Sequence, residues 1–361
     1  DRPVASRTAN FSEVAAIVNG MGNLNAGIFQ LAMERGTNEQ LQAFYQKLMD
    51  LSKESGRPIT FGSLNRRTNP GAWKALYDII EKGNQDGANC FTQVHSREIN
   101  VVLSFETQLP FDDWPVWRDV RKLSLEEQKS ALRDPEMKRR LIEAAQSGPS
   151  NKTVTGGEAR PPEWDYFYLM DKATWPHRTL KDIAAERGTS PVEAMIDIAL
   201  ENDLQVFFRQ PISNEDEDAA LAVMKHPRSC VTFSDSGAHV SQIMDSSLQT
   251  HLLSYWVRER QEFTLEQAVR MITYDTATNW GFHDRGLLRE GMAADIVVFD
   301  PDTIGPCMPT VVYDLPAGAQ RLKQMADGIS ATVINGQVVL RYNQHTGALP
   351  GQLLRGPLGR A

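Results

Sequence analysis

The sequence predicts an α/β protein in which helices wrap a parallel sheet and a small β domain closes the chain. Two stretches predict the sheet, because short apolar runs alternate with amphipathic segments over residues 11–94 and again over 191–273. This βαβα order is typical of a barrel or of a doubly wound sheet. The β domain is predicted from Gly286 onwards, where short apolar runs alternate with turn residues.

The first part of the chain, residues 11–94, contains three helix–strand alternations. Apolar residues at helical spacing predict helices, and short β-rich apolar runs predict strands. The predicted helices are 11–21, 38–51 and 72–82, and the predicted strands lie within 26–33, 58–64 and 89–94.

Residues 106–190 interrupt the alternation with charged residues, prolines and tryptophans. We interpret them as helices and loops inserted between strands, either covering a site or forming a solvated surface without a function of its own. Long loops cost little additional entropy, so their presence alone does not decide between these interpretations.

The alternation then resumes, and residues 1–285 are assigned to the barrel or sheet while 286–361 form the β domain. Helices are predicted at 191–201, 215–225, 247–260 and 265–273, and strands at 204–208 and 231–234. Within the β domain, Asn335-Gly336 between two apolar runs predicts a hairpin. Its strands are predicted at 294–300, 311–313, 331–334 and 338–342.

Composition limits the possible partners and the compartment. The 361 residues carry a net charge of −8 without a basic run, which argues against nucleic acid and anionic membranes. Three cysteines without a CxxC pair fit a reducing, cytoplasmic compartment. No apolar run approaches the roughly 18 residues of a membrane span. The chain begins at Asp1 without an initiator Met, so we expect it to be cut from a longer protein.

Asp235 is the first candidate for chemistry. It directly follows the apolar run 230–233, where a parallel strand would end, and catalytic groups collect at that end of α/β sheets. A carboxylate there can act as a general base or bind a metal. The alternative is that the residues around it form an ordinary turn.

Two histidines are weaker candidates for substrate binding. His239 lies four residues after Asp235, and His95 follows another predicted strand in the stretch QVHSR. Neither belongs to an HxH or HExxH motif, and an isolated histidine is more often a surface or supporting residue. The sequence also lacks GxSxG, GxxxxGK[ST] and GxGxxG, so serine-hydrolase and nucleotide-binding functions have no motif support.

Three stretches resemble the amidohydrolases, and more narrowly the D-aminoacylase (N-acyl-D-amino-acid deacylase) branch. They are FTLEQAVRMITYDTATNWGFHDRGLLREGMAADIVVFD at 263–300, VINGQVV at 333–339 and TGALPGQLLR at 346–355. In addition, FSDSG at 233–237 places Asp235 where the family has its aspartate after barrel strand eight.

The resemblance implies a (β/α)₈ barrel of the TIM type, here with its later strands only, and a small β-sandwich domain. It implies hydrolysis of linear amide bonds by a water activated by a divalent metal, zinc. Asp235 would be the general base, with a role as metal ligand left open. The substrate would be a small N-acyl amino acid or related amide, and a homo-oligomer is compatible with the sequence.

The sequence departs from the family pattern in two places. The family's HxH pair and early barrel strands would lie before residue 1, so another polypeptide or a longer chain would supply them. Ala32 and Ser63 stand where the strand-five and strand-six metal-binding histidines are expected, and neither is a good metal ligand. The competing hypothesis is therefore a catalytically inactive binding or scaffold protein that keeps the fold.

Overall fold

The computed structural model describes residues 8–32, 36–147, 161–234, 236–237, 239–242 and 245–355. The helices are α1 (Phe11–Asn23), α2 (Asn38–Ser55), α3 (Ala72–Gln85), α4 (Pro115–Arg121), α5 (Leu125–Arg133), α6 (Pro135–Ser147), α7 (Leu180–Arg187), α8 (Pro191–Glu201), α9 (Glu217–Met224), α10 (Leu248–His251), α11 (Leu265–Ile272) and α12 (Tyr274–Asn279). A π-helix, Leu252–Glu259, continues α10. No helix within the described ranges is long and apolar enough to cross a membrane.

The strands of the first two sheets are β1 (Phe29–Leu31), β2 (Ile59–Gly62), β3 (Cys90–Val94), β4 (Ile99–Leu103), β5 (Tyr168–Met170), β6 (Phe207–Ser213) and β7 (Ser229–Val231). β1, β2, β3 and β7 form a parallel sheet in that order. All residues of β2 and β3 are buried, as expected for strands covered on both faces. The alternation predicted over residues 11–94 is confirmed, whereas the strand expected at 204–208 falls in β6, which pairs antiparallel with β4 and β5 outside the parallel sheet.

α2, the helix between β1 and β2, shows how the local sequence forms a connection between two parallel strands. Thr37 caps its first turn in a reciprocal capping box with Gln40, and Gly56 ends it in the left-handed conformation. Its apolar face buries Leu48 and Met49 against the sheet. α2 therefore covers one face of the sheet at β2, and because the four strands are parallel, their carboxyl ends lie at one common edge.

Residues between β3 and β7 form a second unit with its own core. β4, β6 and β5 make an antiparallel sheet in that order. Trp117, Phe111, Phe167 and Phe208 belong to the apolar cluster at its centre. The two strands that join this unit to the parallel sheet, β4 and β6, flank the stretch 106–190 and pair with each other.

One predicted strand is displaced along the chain. A strand was expected at 204–208, but β6 starts at Phe207 and continues to Ser213. Asp203 and Leu204 adopt positive φ angles of 57° and 62°, so the chain turns there instead of extending. The strand consequently includes polar residues, among them Arg209, that an apolar pattern does not predict.

The C-terminal region consists of short antiparallel strands: β8 (Ile296–Phe299), β9 (Gly305–Pro306), β10 (Thr310–Val312), β11 (Arg321–Lys323), β12 (Ala326–Asp327), β13 (Ile329–Ile334), β14 (Gln337–Arg341) and β15 (Gln344–His345). Asn335 and Gly336 both have positive φ and join β13 to β14, which confirms the predicted hairpin. Every residue of β13 is only partly buried. Val297 and Val298 of the neighbouring β8 are 53% and 49% exposed.

Candidate active site

The carboxyl ends of β2, β3 and β7 meet at one edge of the parallel sheet. The backbone N–H of Ser63 donates to Gln93 O at 2.9 Å, and that of Phe233 donates to Val94 O at 3.1 Å. The ring of Phe233 crosses over Gly62 so closely that a Cβ there would lie 2.6 Å from a ring carbon. The residues that follow these three strands therefore surround one site.

Asp235 itself lies outside the described residues. On either side of it, the hydroxyl groups of Ser234 and Ser236 are 2.7 Å apart, and the Ser236 N–H donates to Ser234 Oγ at 3.3 Å. His239 is exposed and has a φ of 47°. The catalytic role of Asp235 and the substrate contact of His239 therefore stay predictions.

His95 is buried directly after β3. Its Nδ1 accepts the backbone N–H of Arg97 at 3.1 Å, so the neutral ring carries its proton on Nε2. Arg97 is also buried, and its Nη1 donates to Ser247 Oγ at 2.9 Å. His95 therefore lies at the carboxyl end of β3, as expected from the sequence, while its contact with a substrate stays a prediction.

An ion pair between Glu98 and Arg209 lies beside these residues. Both side chains are buried, and Arg209 Nη1 donates to a carboxylate oxygen of Glu98 and, at 2.8 Å, to Asn100 Oδ1. Burial raises the pKa of Glu98 to about 7 and is opposed by Arg209. Burial likewise lowers the pKa of Arg209. Both shifts favour the neutral forms, which shows that desolvation outweighs the mutual attraction.

Aromatic rings fix the guanidinium group of Arg209. Its central carbon lies 3.7 Å from the ring centre of Trp175 and 4.3 Å from that of Tyr168. Arg209 Nε donates to His177 Nδ1 at 2.8 Å. Burial, together with the charge of Arg209, lowers the pKa of His177 to about 4, so this ring is neutral and donates from Nε2 to Lys172 O.

Two further buried polar side chains border the site. His251 lies at the end of α10, and burial lowers its pKa well below the ordinary value, with further lowering by Arg97 and His95. Asn65 lies three residues beyond β2 and is 7% exposed. Within the described part of the chain, His251 Nδ1 and both amide atoms of Asn65 have no hydrogen-bond partner.

A metal site is not complete within the described residues. Ala32 is exposed and Ser63 is buried, and neither offers the imidazole that the family pattern would place there. No group of three His, Cys, Asp or Glu side chains in the described ranges could hold a metal ion. These residues alone do not fit a metal centre, and we derive no catalytic step through one.

Sequence reasoning missed Glu98, Arg209, Asn65 and His251. A local signal existed for Arg209, because a charged residue directly follows Val206, Phe207 and Phe208. Glu98 lies three residues after His95, in the same segment that follows β3. Their pairing joins residues 111 positions apart, which no local pattern can predict.

A parallel α/β sheet with buried polar groups at its carboxyl edge is typical of the barrel enzymes. The model of the Amidohydrolase family matches residues 7–340. The chain therefore belongs to the amidohydrolase family.

Curated relatives cover about half of this chain. N-acyl-D-aspartate deacylase of Alcaligenes xylosoxydans xylosoxydans is 30% identical over 176 residues, which are 48% of this chain and 30% of the relative. N-acyl-D-glutamate deacylase of the same organism is 30% identical over 194 residues, 51% of this chain and 36% of the relative. The aligned part is thus about a third of each relative's length.

Solved structures share the fold over nearly the whole chain. N-acyl-D-glutamate deacylase from Bordetella bronchiseptica, complexed with zinc and a phosphonate inhibitor, has a TM-score of 0.55 at 19% identity and covers 98% of this chain and 60% of its own. A D-aminoacylase mutant in complex with CuCl₂ has a TM-score of 0.56 at 17% identity. The match covers 98% of this chain and 61% of the D-aminoacylase chain. These relatives identify the α/β fold as that of a TIM-barrel type domain.

Proposed function

We propose that this chain is part of a hydrolase of linear amide C–N bonds, of the N-acyl-D-amino-acid deacylase type. The observation that carries the proposal is the family match over residues 7–340. The named relatives act on N-acyl-D-aspartate and N-acyl-D-glutamate, so the substrate is a small N-acyl amino acid or a related amide. The compartment is cytoplasmic.

Asp235 is the general base of this reaction. It takes a proton from the attacking water and passes it to the leaving nitrogen. Its place in the chain, after the strand β7 and between Ser234 and Ser236, supports the role, because barrel enzymes carry their catalytic groups after the strands. His95 and His239 contact the substrate.

In such an enzyme a bound divalent metal, zinc, would lower the pKa of the attacking water. The zinc in the Bordetella bronchiseptica relative supports this assignment. Since the described residues hold no ligand set, we place the HxH pair outside this chain, together with the early barrel strands. Asp235 would be a further ligand of that metal.

The same outside segment covers surfaces that no described residue covers. The strands β1 and β7 lie at the two edges of the parallel sheet, and unpaired edges favour association. The partly buried residues of β13 are consistent with a β-sandwich whose second layer comes from that segment. In this division of the chain, residues 1–285 belong to the barrel, with an insertion at about 106–190, and 286–361 to the sandwich. A homo-oligomer is compatible with this division into barrel and sandwich.

The test is hydrolysis of N-acetyl-D-aspartate and N-acetyl-D-glutamate, measured as release of the free amine. The chain is assayed with zinc, alone and together with a polypeptide that carries the early strands. Release that requires zinc supports the proposal. No release in either preparation contradicts it.

The second candidate is a catalytically inactive binding or scaffold protein. Ala32 and Ser63 at the expected histidine positions favour it. Zinc content measured by mass spectrometry after dialysis separates the two, because the scaffold is expected to bind N-acyl amino acids or a protein partner without stoichiometric zinc.

A further inference from the structure

A pocket of about 430 Å³ lies between the first turns of α3 and α9. Its walls include Gly71, Trp73 and Lys74 at the start of α3, and Asp216 and Asp218 at the start of α9. α3 follows the carboxyl end of β2, and α9 runs back towards the first residue of β7. Because β2 and β7 belong to the same parallel sheet, both helices begin on the side of that sheet where the candidate active site lies.

The pocket is distinct from the candidate active site. Glu215, the residue before Asp216, accepts the backbone N–H of Arg67 at 3.4 Å and pairs with its Nε at 3.7 Å. These contacts join the loop after β2 to the segment after β6. The described lining of the pocket contains none of the residues proposed for catalysis or substrate contact. A ligand held by this lining therefore occupies a second site.

Charges of both signs line the pocket without being paired. Lys74 and Asp218 are exposed, and within the described ranges neither of them takes part in an ion pair. Asp216 caps α9, because its Oδ1 accepts the N–H of Ala219 at 3.0 Å, and this bond leaves its Oδ2 for another donor. The pocket therefore offers one ammonium group and two carboxylates to a ligand.

Trp73 gives the pocket an apolar wall. Its ring is partly buried against the core and meets the ring of Tyr77 edge-on at 6.2 Å. Lys74 Nζ lies 5.7 Å from the centre of the Trp73 ring, so one small ligand can reach both groups. At Gly71, nothing lies within 4 Å of the place that a Cβ would take, so the backbone there faces open space.

We propose that this pocket binds a free α-amino acid. The ammonium group of the ligand pairs with Asp218 and with Oδ2 of Asp216, its carboxylate pairs with Lys74, and its side chain packs on Trp73. A zwitterion compensates both signs of charge, whereas a simple cation is repelled by the lysine and a simple anion by the two aspartates. An N-acyl amino acid lacks the ammonium group and does not fit. The inference goes beyond the proposed function and does not depend on turnover.

The test compares leucine with two analogues that each lack one charge. Isocaproate lacks only the ammonium group and isoamylamine only the carboxylate, and neither analogue is an amide. Calorimetry on the unmodified chain measures the dissociation constants of D-leucine, L-leucine and both analogues. We expect leucine of at least one hand to bind about fivefold more tightly than either analogue, since each analogue loses one solvent-accessible ion pair. Leucine that binds no more tightly than the analogues overturns the proposal.

Two charge-removing variants assign the binding to this pocket. Asp218→Asn is expected to weaken leucine binding about fivefold and to leave isocaproate unchanged, and Lys74→Met to weaken leucine equally and to leave isoamylamine unchanged. Asp86→Asn is the matched control, because Asp86 is an exposed carboxylate at the opposite end of α3, and it is expected to keep the binding of the unmodified chain. Unchanged leucine binding in Asp218→Asn or in Lys74→Met overturns the proposal. The hydrolysis assay tests the proposed function separately, since leucine binding is measured without a substrate.

Discussion

Arg209 of β6 pairs with Glu98, which directly precedes β4, and the pair fastens the inserted sheet to the loop after β3. The side chains are 2% and 6% exposed. Because water is excluded from both, removing one partner leaves the other charge buried and alone. The pair therefore stabilises the packing of β6 against the loop after β3.

Replacing Arg209 by Met is expected to lower the free energy of unfolding by about 3–5 kcal/mol, because Glu98 then stays buried without its partner. The double variant Arg209→Met/Glu98→Gln is expected to recover much of this loss. Urea unfolding measures both. Arg187→Met is the control, since its pair with Glu201 is solvent-accessible and worth less than about 1 kcal/mol. Equal losses in the single and double variants would contradict the ion-pair account.

Glu98 also predicts a dependence of stability on pH. Burial raises its pKa from 4.5 to about 7, so the folded state holds a proton that the unfolded state releases. This contribution to stability is complete below about pH 4.5 and is lost as the pH rises to about 7. The difference in unfolding free energy between the protein and Glu98→Gln is expected to change by about 3 kcal/mol over this range. Parallel pH profiles of the two proteins would show that Glu98 does not titrate in this way.

Gly62 is expected to tolerate no side chain. In Gly62→Ala the new Cβ meets the ring of Phe233, and the resulting displacement costs about 1–3 kcal/mol. Gly20→Ala in α1 is the control, because nothing lies within 4 Å of that position, and alanine there is expected to stabilise the helix by about 0.5–1 kcal/mol. Thermal unfolding distinguishes the two. A stable Gly62→Ala would mean that Phe233 does not cover this edge.

Asn214 is needed both for its left-handed backbone conformation and for the hydrogen bonds of its side chain. Its φ of 61° suits Asn and Gly, and its Oδ1 accepts the N–H of Asn65. Asn214→Gly keeps the backbone conformation and loses the side-chain hydrogen bonds to the Asn65 N–H and to Arg97 O, at about 1–3 kcal/mol. Asn214→Ala is expected to cost more, because it adds backbone strain. If the two variants unfold at the same urea concentration, the left-handed conformation is not required.

The order of helices and parallel strands could be predicted because periodicity and caps are local properties. The hairpin at Asn335-Gly336 is another such case, since its φ angles are decided by two residues. The start of β6 was misplaced, because the turn at Asp203 also includes Leu204, which begins the apolar run. Asn202-Asp203 is a turn signal, but the sequence does not show that the turn extends to Leu204.

The candidate site was only partly predictable. His95 was found because it directly follows a strand, whereas Asn65 and Arg209 depend on contacts across the fold. In a sequence, a buried polar residue looks the same as a polar residue on the surface. Only the tertiary structure shows that Glu98 and Arg209 are both buried and paired with each other. Asp235 was a candidate because it follows the apolar run 230–233, and the family resemblance gave it the more specific role of general base.

The most direct test of the account is the turnover of Asp235→Asn, measured with N-acetyl-D-glutamate in the zinc-loaded preparation that hydrolyses it. Asparagine keeps the size of the side chain and removes the base, so turnover is expected to fall by about 100-fold or more. The exposed Asp302→Asn is the control and is expected to keep full turnover. A folded Asp235→Asn that keeps most of its turnover would contradict the account.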